Sequence, residues 1–353
     1  METVILKILL PAITTFTVGI LITPLVTHYL FKFKVWKKQG GKTDMLGQTA
    51  TEFNRLKAEH ETKTPRMGGI IIWGSVLIAT SVLFFLSTFT SVQFFSDVFF
   101  LSRSQTWIPF STFFIGAFLG FLNDFYDVQH GGRGVRLSVR LLFISFLSGA
   151  IGWWFYTKLG VTTIGIPFAE PLYLGIFVIP FFILLTNAVY ASGVIDGIDG
   201  LSGGVFATVF AAYAGVAILQ SQFDLAAFCV MLVGAILAFL WFNIPPARFW
   251  MTETGSMALT LTLAVVLLMT DQLVGGYGIA LFIVIGFVLV ATVLSNIIQI
   301  TYRKLTGKKF FRIAPLHHHF EAIGWPSYKV TMRYWLISML FAVTGLIIAV
   351  ILI

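Results

Sequence analysis

Long apolar blocks separated by short polar stretches set the rhythm of this chain. Ten of them approach the roughly 20 residues that cross a bilayer as a helix. They cover residues 4–30, 68–89, 106–122, 139–157, 173–190, 201–219, 225–242, 255–270, 276–300 and 333–353. The first block is too long for the apolar region of a cleavable signal and reads as a first span. The glycine-rich GVIDGIDGLSGG interrupts the pattern between spans five and six. After span four, VTTIGIPFAEPLYLG alternates β-branched residues with turn formers, which predicts a short β-hairpin. No internal repeat or low-complexity linker breaks the order. Residues 1–353 therefore read as a single all-α, polytopic membrane domain.

Composition and charge sharpen this picture. The chain is 58% hydrophobic and 11% charged, whereas a soluble protein carries about 25% charge. Of its 23 Lys and Arg, all but Lys7, Arg103 and Lys158 fall in or at the edges of the odd-numbered loops. The positive-inside rule places those loops in the cytoplasm, with both termini and the hairpin outside. The net charge of +8 then reflects cytoplasmic loops beside anionic lipid rather than nucleic-acid binding. The single cysteine, Cys229, excludes an internal disulfide and lies within a span as apolar filler.

The polar residues with chemical potential gather where spans meet the cytoplasmic face. They are Lys63 in KTPRMGG, Asp124 and Asp127 in GFLNDFYD, Asp196 and Asp199 in GVIDGIDGLSGG, Asn243 in WFNIPPARFW, Glu253 in FWMTETGSMAL, and His317, His318 and His319 in RIAPLHHHFEAIGW. Bland roles exist for each: solvated helix ends for the carboxylates, helix capping for Asn243 and the Glu253 cluster, a turn for PRMGG. Asp196 and Asp199, three apart, would share one face of a helical turn, where two like charges call for a cation or an acid–base role. Three adjacent histidines cannot easily all face one metal, so a zinc site fits poorly. With Lys308, Lys309 and Arg312 nearby, they suit an anion or phosphate. Carboxylates for a divalent cation, with basic and imidazole groups for phosphates, point to phosphoryl transfer at a membrane surface.

The stretch TGKKFFRIAPLHHHFEAIGWPSYKVTMRYWLIS closely resembles the C-terminal signature of the phospho-N-acetylmuramoyl-pentapeptide transferases. These belong to the polyprenyl-phosphate N-acetylhexosamine-1-phosphate transferase superfamily. KTPRMGG, GFLND, DGIDGLSGG, WFNIPPARFWMTETGSMAL and SNIIQITYRK follow in the family's order, so the resemblance spans nearly the whole chain. It implies ten spans, magnesium as cofactor, and transfer of phospho-N-acetylmuramoyl-pentapeptide (from UDP-MurNAc-pentapeptide) to undecaprenyl phosphate. The products are UMP and lipid I, the first membrane-bound peptidoglycan intermediate, made at the cytoplasmic membrane. Homodimers occur in the family, so self-association is an open expectation.

Carried onto this chain, the resemblance implies catalytic roles for Asp124, Asp196, Asp199 and His317. It implies substrate contacts by Lys63, Asn243, His318 and His319, and metal binding by Glu253. The chain also departs from the family pattern. Asn123 stands where a first aspartate is usual, Gly193 replaces a polar residue, Glu253 replaces an aspartate, and Glu61 stands where a lysine is usual. The expected mechanism is direct attack of the lipid phosphate on the β-phosphate of the nucleotide, with Asp124 as base or orienting group. A covalent aspartyl-phosphate route is the rival. An N-acetylglucosamine-1-phosphate transferase of the same superfamily, or a transporter or non-catalytic scaffold, are the alternative readings of the whole.

Overall fold

The computed structural model describes residues 2–38, 62–130, 134–272 and 276–352. Glu61 and most of the predicted first loop lie outside the described residues. Nine described helices are long and apolar enough to cross a membrane, or ten if one bent pair counts as a span. The helices are α1 (Glu2–Lys32), α2 (Gly69–Phe89), a short α3 (Gln93–Val98), α4 (Trp107–Gln129) and α5 (Leu137–Leu159). Then come α6 (Val178–Ala191), α7 (Leu201–Leu219), α8 (Phe223–Asn243) and α9 (Thr252–Gln272). The chain ends with α10 (Gly278–Ile285), α11 (Phe287–Thr306), α12 (Leu316–Ala322) and α13 (Ser327–Leu352). The predicted hairpin is present: β1 (Thr163–Ile164) pairs antiparallel with β2 (Leu172–Tyr173), Thr163 opposite Tyr173.

Helix α9 is the axis of the bundle, buried along almost its whole length. It packs most extensively on α4, with α6, α2 and α10 around it. Its interior threonines solve the problem of polar groups away from water by donating back to their own helix. Thr260 bonds Ser256 O at 2.8 Å, Thr262 bonds Ala258 O at 2.7 Å, and Thr270 bonds Val266 O at 2.8 Å. Close approach is licensed by two glycines. A Cβ on Gly120 of α4 would lie 2.0 Å from Glu253 O, and one on Gly69 of α2 would lie 2.3 Å from Gly255 N. Small residues at such crossings let backbones touch, the usual glue between helices in lipid. Two helices, α2 and α4, thus converge on the first turn of α9. The periphery is the reverse: Leu142, Phe143 and Phe146 of α5, and Leu336, Leu340 and Val343 of α13, are exposed as a lipid-facing surface would be.

Two sequence expectations change. Residues 276–300, read as one straight span, form two helices bent by 76° at Gly286. A side chain there would strike the Phe282 ring at 2.2 Å. A hydropathy window sees the composition but not a one-residue corner. Beyond the corner, α11 lies beside the Ser192–Ile195 3-10 turn. Its Gln299 Oε1 accepts the Phe311 amide at 2.8 Å and its Ser295 Oγ accepts the Leu316 amide at 3.0 Å, so the bent helix carries the histidine segment. Second, Asp196 and Asp199 occupy a non-helical loop, residues 196–200, not a helical turn.

Candidate active site

The site lies at the end of the bundle where α4 and α8 finish and where α2, α5, α7, α9 and α13 begin. Its hub is Thr252, the first residue of α9. Thr252 adopts φ +55, a left-handed conformation that costs a β-branched residue about 1–3 kcal/mol. Its hydrogen bonds outweigh that cost. The Thr252 amide donates to Asp196 Oδ2 at 2.7 Å, and its hydroxyl donates to Asp124 Oδ2 at 2.6 Å. Bonds to charged groups are worth about 1.5–3 kcal/mol each. The Met67 amide donates to the same hydroxyl at 3.1 Å, which ties the KTPRMGG segment to the hub.

Asp124, on α4, is fully buried. Its Oδ2 also accepts the Thr254 amide at 2.7 Å and the Thr254 hydroxyl at 2.6 Å. It therefore caps the N-terminus of α9 from a neighbouring helix, satisfying an amide that no residue of α9 can. Its Oδ1 is less engaged: Asn123 Nδ2 lies 3.4 Å away and Arg66 Nη2 3.9 Å away. Arg66 also reaches Asp127 Oδ2 at 3.2 Å. Asn123 turns away to accept the Val135 amide at 3.0 Å. An aspartate there would set a second negative charge beside Asp124; the amide supplies a donor instead.

Asp196 accepts from Ser202 Oγ at 2.6 Å as well as from Thr252. Desolvation pushes its carboxyl above the usual range, against the pull of those donors. Asp199 and Asn243 fasten loops. Asp199 accepts the Ala247 amide and the Trp250 indole N–H, both at 3.0 Å. Asn243, 2% exposed, accepts the Gly200 amide at 3.0 Å and donates to Phe249 O at 2.8 Å. Gly200 itself has φ +74, which a glycine tolerates without strain. Glu253 is engaged by Arg140 and Tyr190. Arg140 of α5 donates to its Oε1 and to the Tyr190 hydroxyl at 2.9 Å, and that hydroxyl lies 3.4 Å from the carboxylate. Lys63 is exposed on the segment before Arg66. A Cβ on Gly193 would make ordinary van der Waals contact with Ser256 at 3.6 Å and Thr260 at 3.7 Å.

The three histidines are not equivalent. Helix α12 turns His317 and His318 inward, both buried, and leaves His319 partly exposed. A Cβ on Gly197 would lie 2.6 Å from His318 Nε2 and 2.7 Å from His317 Nε2, so both Nε2 edges meet the 196–200 loop. His318 Nδ1 pairs with Glu321 Oε2 at 2.7 Å. His319 Nδ1 instead accepts the Arg312 amide at 3.2 Å, and burial with the Arg312 charge lowers its pKa. Helix α13 clamps the same loop: Thr331 donates to Asp199 O at 3.0 Å and Trp335 Nε1 to Gly200 O at 3.1 Å.

One five-residue loop therefore joins two clusters, the carboxylate–threonine hub through Asp196 and the histidines through Gly197. Thr252, Thr254, Arg66, Arg140, Tyr190 and Glu321 belong to this end as well. Sequence reasoning did not single them out as site residues. KTPRMGG, TETGS and HHHFE carry four of them within motifs already noted; nothing local marks Arg140 or Tyr190.

A transferase of polytopic membrane type is the class that this architecture and its relatives define. A family model described as glycosyl transferase family 4 matches residues 106–271. The phospho-N-acetylmuramoyl-pentapeptide-transferase of Geobacillus sp. (strain WCH70) is 36% identical, covering 97% of each chain. That of Geobacillus thermodenitrificans (strain NG80-2) is 36% identical over 95% of this chain and 96% of its own. That of Clostridium beijerinckii is 33% identical over 97% of this chain and 96% of its own. The chain belongs to the phospho-N-acetylmuramoyl-pentapeptide-transferase family.

Proposed function

We propose that this chain transfers phospho-N-acetylmuramoyl-pentapeptide from its UDP carrier to undecaprenyl phosphate, giving lipid I and UMP for peptidoglycan synthesis. The observation that carries the reading is the meeting of the Asp124–Thr252–Asp196 hub and the histidine helix on one loop, in a member of this family. The reaction takes place at the cytoplasmic membrane with the site facing the cytoplasm, a sidedness supported by the basic residues of the odd-numbered loops. Residues 1–353 act as one membrane domain.

The lipid phosphate attacks the β-phosphate of the nucleotide, and UMP leaves. A phosphomonoester with a second pKa of about 6 is largely ionised at pH 7, so the attacking oxygen needs orientation more than deprotonation. Arg66 supplies that orientation, and Asp124 Oδ1 beside it accepts the proton of the fraction still singly ionised. His317, His318 and His319 face the diphosphate and the sugar–peptide. Lys63 and Arg66 add positive charge on the approach. Asp199 and Asn243 support the site by fixing the loops around the substrate and nucleotide. Asp196 holds Thr252, and with it the first turn of α9.

Magnesium commonly takes one or two protein carboxylates and completes its shell with substrate phosphates and water. Asp124, with its lightly engaged Oδ1, and Glu253 offer hard oxygen donors that fit such an ion, although no three His, Cys, Asp or Glu gather as a complete protein site among the described residues. When bound, the ion supplies neutralisation of pyrophosphate charge. Glu253 would then be shared between the ion and Arg140. UMP release by the purified protein, measured with both substrates and with magnesium present or chelated, tests the reading. No release in any condition overturns it.

A further inference from the structure

We infer that Glu321 is a positioning residue for His318. The two form a buried carboxylate–imidazole pair that holds His318 protonated on both nitrogens and aims its Nε2–H at substrate phosphate beside Gly197. The substrate part of this inference rests on the transfer reading above; the pair itself does not.

The geometry is closed on the Glu321 side. His318 Nδ1 lies 2.7 Å from Glu321 Oε2, and each side chain is only 5% exposed. The other carboxylate oxygen accepts from Ser327 Oγ at 2.5 Å, so the first residue of α13 fixes the carboxylate plane. Nδ1–H is thus the donor to Glu321. A neutral imidazole has a single N–H, so with Nδ1 protonated its Nε2 could only accept. Phosphate oxygens also only accept. For His318 to donate to phosphate from Nε2 while keeping Glu321, it must be the imidazolium, and an adjacent carboxylate stabilises that form. A carboxylate fixing a histidine's proton position and ring orientation is a general device of catalytic sites.

The neighbouring histidine is set the opposite way. His319 Nδ1 accepts a backbone N–H from Arg312, and its proton therefore sits on Nε2. The Arg312 charge and burial favour its neutral form. Two adjacent, identical side chains are thus given different protonation by their partners. The titratable groups that face His318 include Glu321 and His317 on its own helix and Tyr334 of α13 beyond the His317 ring. Asp196 and Asp199 lie on the same loop as Gly197, and the Arg312 amide bonds His319 Nδ1.

The pair is tested on the full-length protein in detergent, labelled with 15N-histidine, with the His318 signal assigned by its loss in His318→Gln. At pH 7 the wild-type spectrum is expected to show His318 protonated on both nitrogens and His319 on Nε2 alone. In Glu321→Gln, which keeps an acceptor but removes the charge, His318 is expected to titrate at least about one pH unit lower. The alkaline limb of kcat for UMP release shifts down by a similar amount, with KM for the nucleotide changed less than threefold. A singly protonated wild-type His318 at pH 7 overturns the pair whether or not any variant folds. An unshifted titration in Glu321→Gln does the same. If the pair is found but the two pH–rate profiles superimpose, its role in transfer is overturned. A wild-type protein that releases no UMP sinks the transfer reading alone, because the titration needs no turnover.

Discussion

The two ends of α9 use the same device for different purposes. At one end, Asp271 accepts the Gly165 amide at 3.0 Å and the Ile279 amide at 3.1 Å, which pins the β-hairpin and the start of α10. At the other, Asp124 and Asp196 accept from Thr252 and Thr254. Both ends satisfy backbone amides with carboxylates, as buried amides require. The difference is what remains over. Asp271 draws together backbone of adjacent segments. The Asp124 end draws together side chains from α4, α7 and α9, with Glu253 still 28% exposed in the Arg140 corner and the histidine edges on the joining loop. A carboxylate at a helix end is therefore not itself a functional sign; convergence with other unlike groups is.

That contrast can be broken most forcefully at the loop. His318→Ala is expected to lower exchange of labelled UMP into the nucleotide substrate by about 10²–10³-fold, in the range found when one transition-state contact is removed, and Asp196→Asn by about 10²-fold, because it loosens the Thr252 hub that positions Asp124. Both proteins should remain monodisperse in detergent, and wild-type exchange in either would remove that residue from the site. Asp196→Asn carries a second readout. Because burial raises the folded-state pKa of Asp196, its contribution to stability is fullest below the unfolded value near 3.9 and declines as pH rises through the folded value. The asparagine lacks that decline, so the variant should gain on wild type as pH rises above about 4, measured by thermal unfolding across pH.

Smaller effects separate the two ends further. Glu253→Gln should raise the magnesium concentration for half-maximal activity by about tenfold, because the amide keeps an oxygen donor but loses the charge that attracts the cation. An unchanged titration takes Glu253 out of the metal shell. At the opposite end, Asp271→Ala leaves the Gly165 and Ile279 amides without their acceptor. It should cost about 1–3 kcal/mol of stability while leaving kcat within about twofold; a large loss of turnover would mean the ends are coupled. Gly193→Asn is the mildest, within about 0.5 kcal/mol, because a Cβ there meets Ser256 and Thr260 only at ordinary contact distance and no special backbone angle is needed at Gly193.

Much of this molecule was legible in its sequence. Apolar block length determined the helical spans, because a backbone in lipid must satisfy its own hydrogen bonds and only a helix does so within one segment. Motif order gave the family, and the motifs contained Asp124, Asp196, Glu253 and the histidines. The tertiary structure alone decided which span is central. Helix α9, less apolar than α13, takes the axis and the more apolar α13 the rim, since lipid rewards burying polar and small residues rather than leucines. It alone turned residues 276–300 through a corner at Gly286, and it alone paired Glu253 with Arg140, 113 residues away. His318 and His319 have the same chemistry in the sequence. Their protonation is set by Glu321 and Arg312, and a partner's distance and direction exist only once the chain has folded.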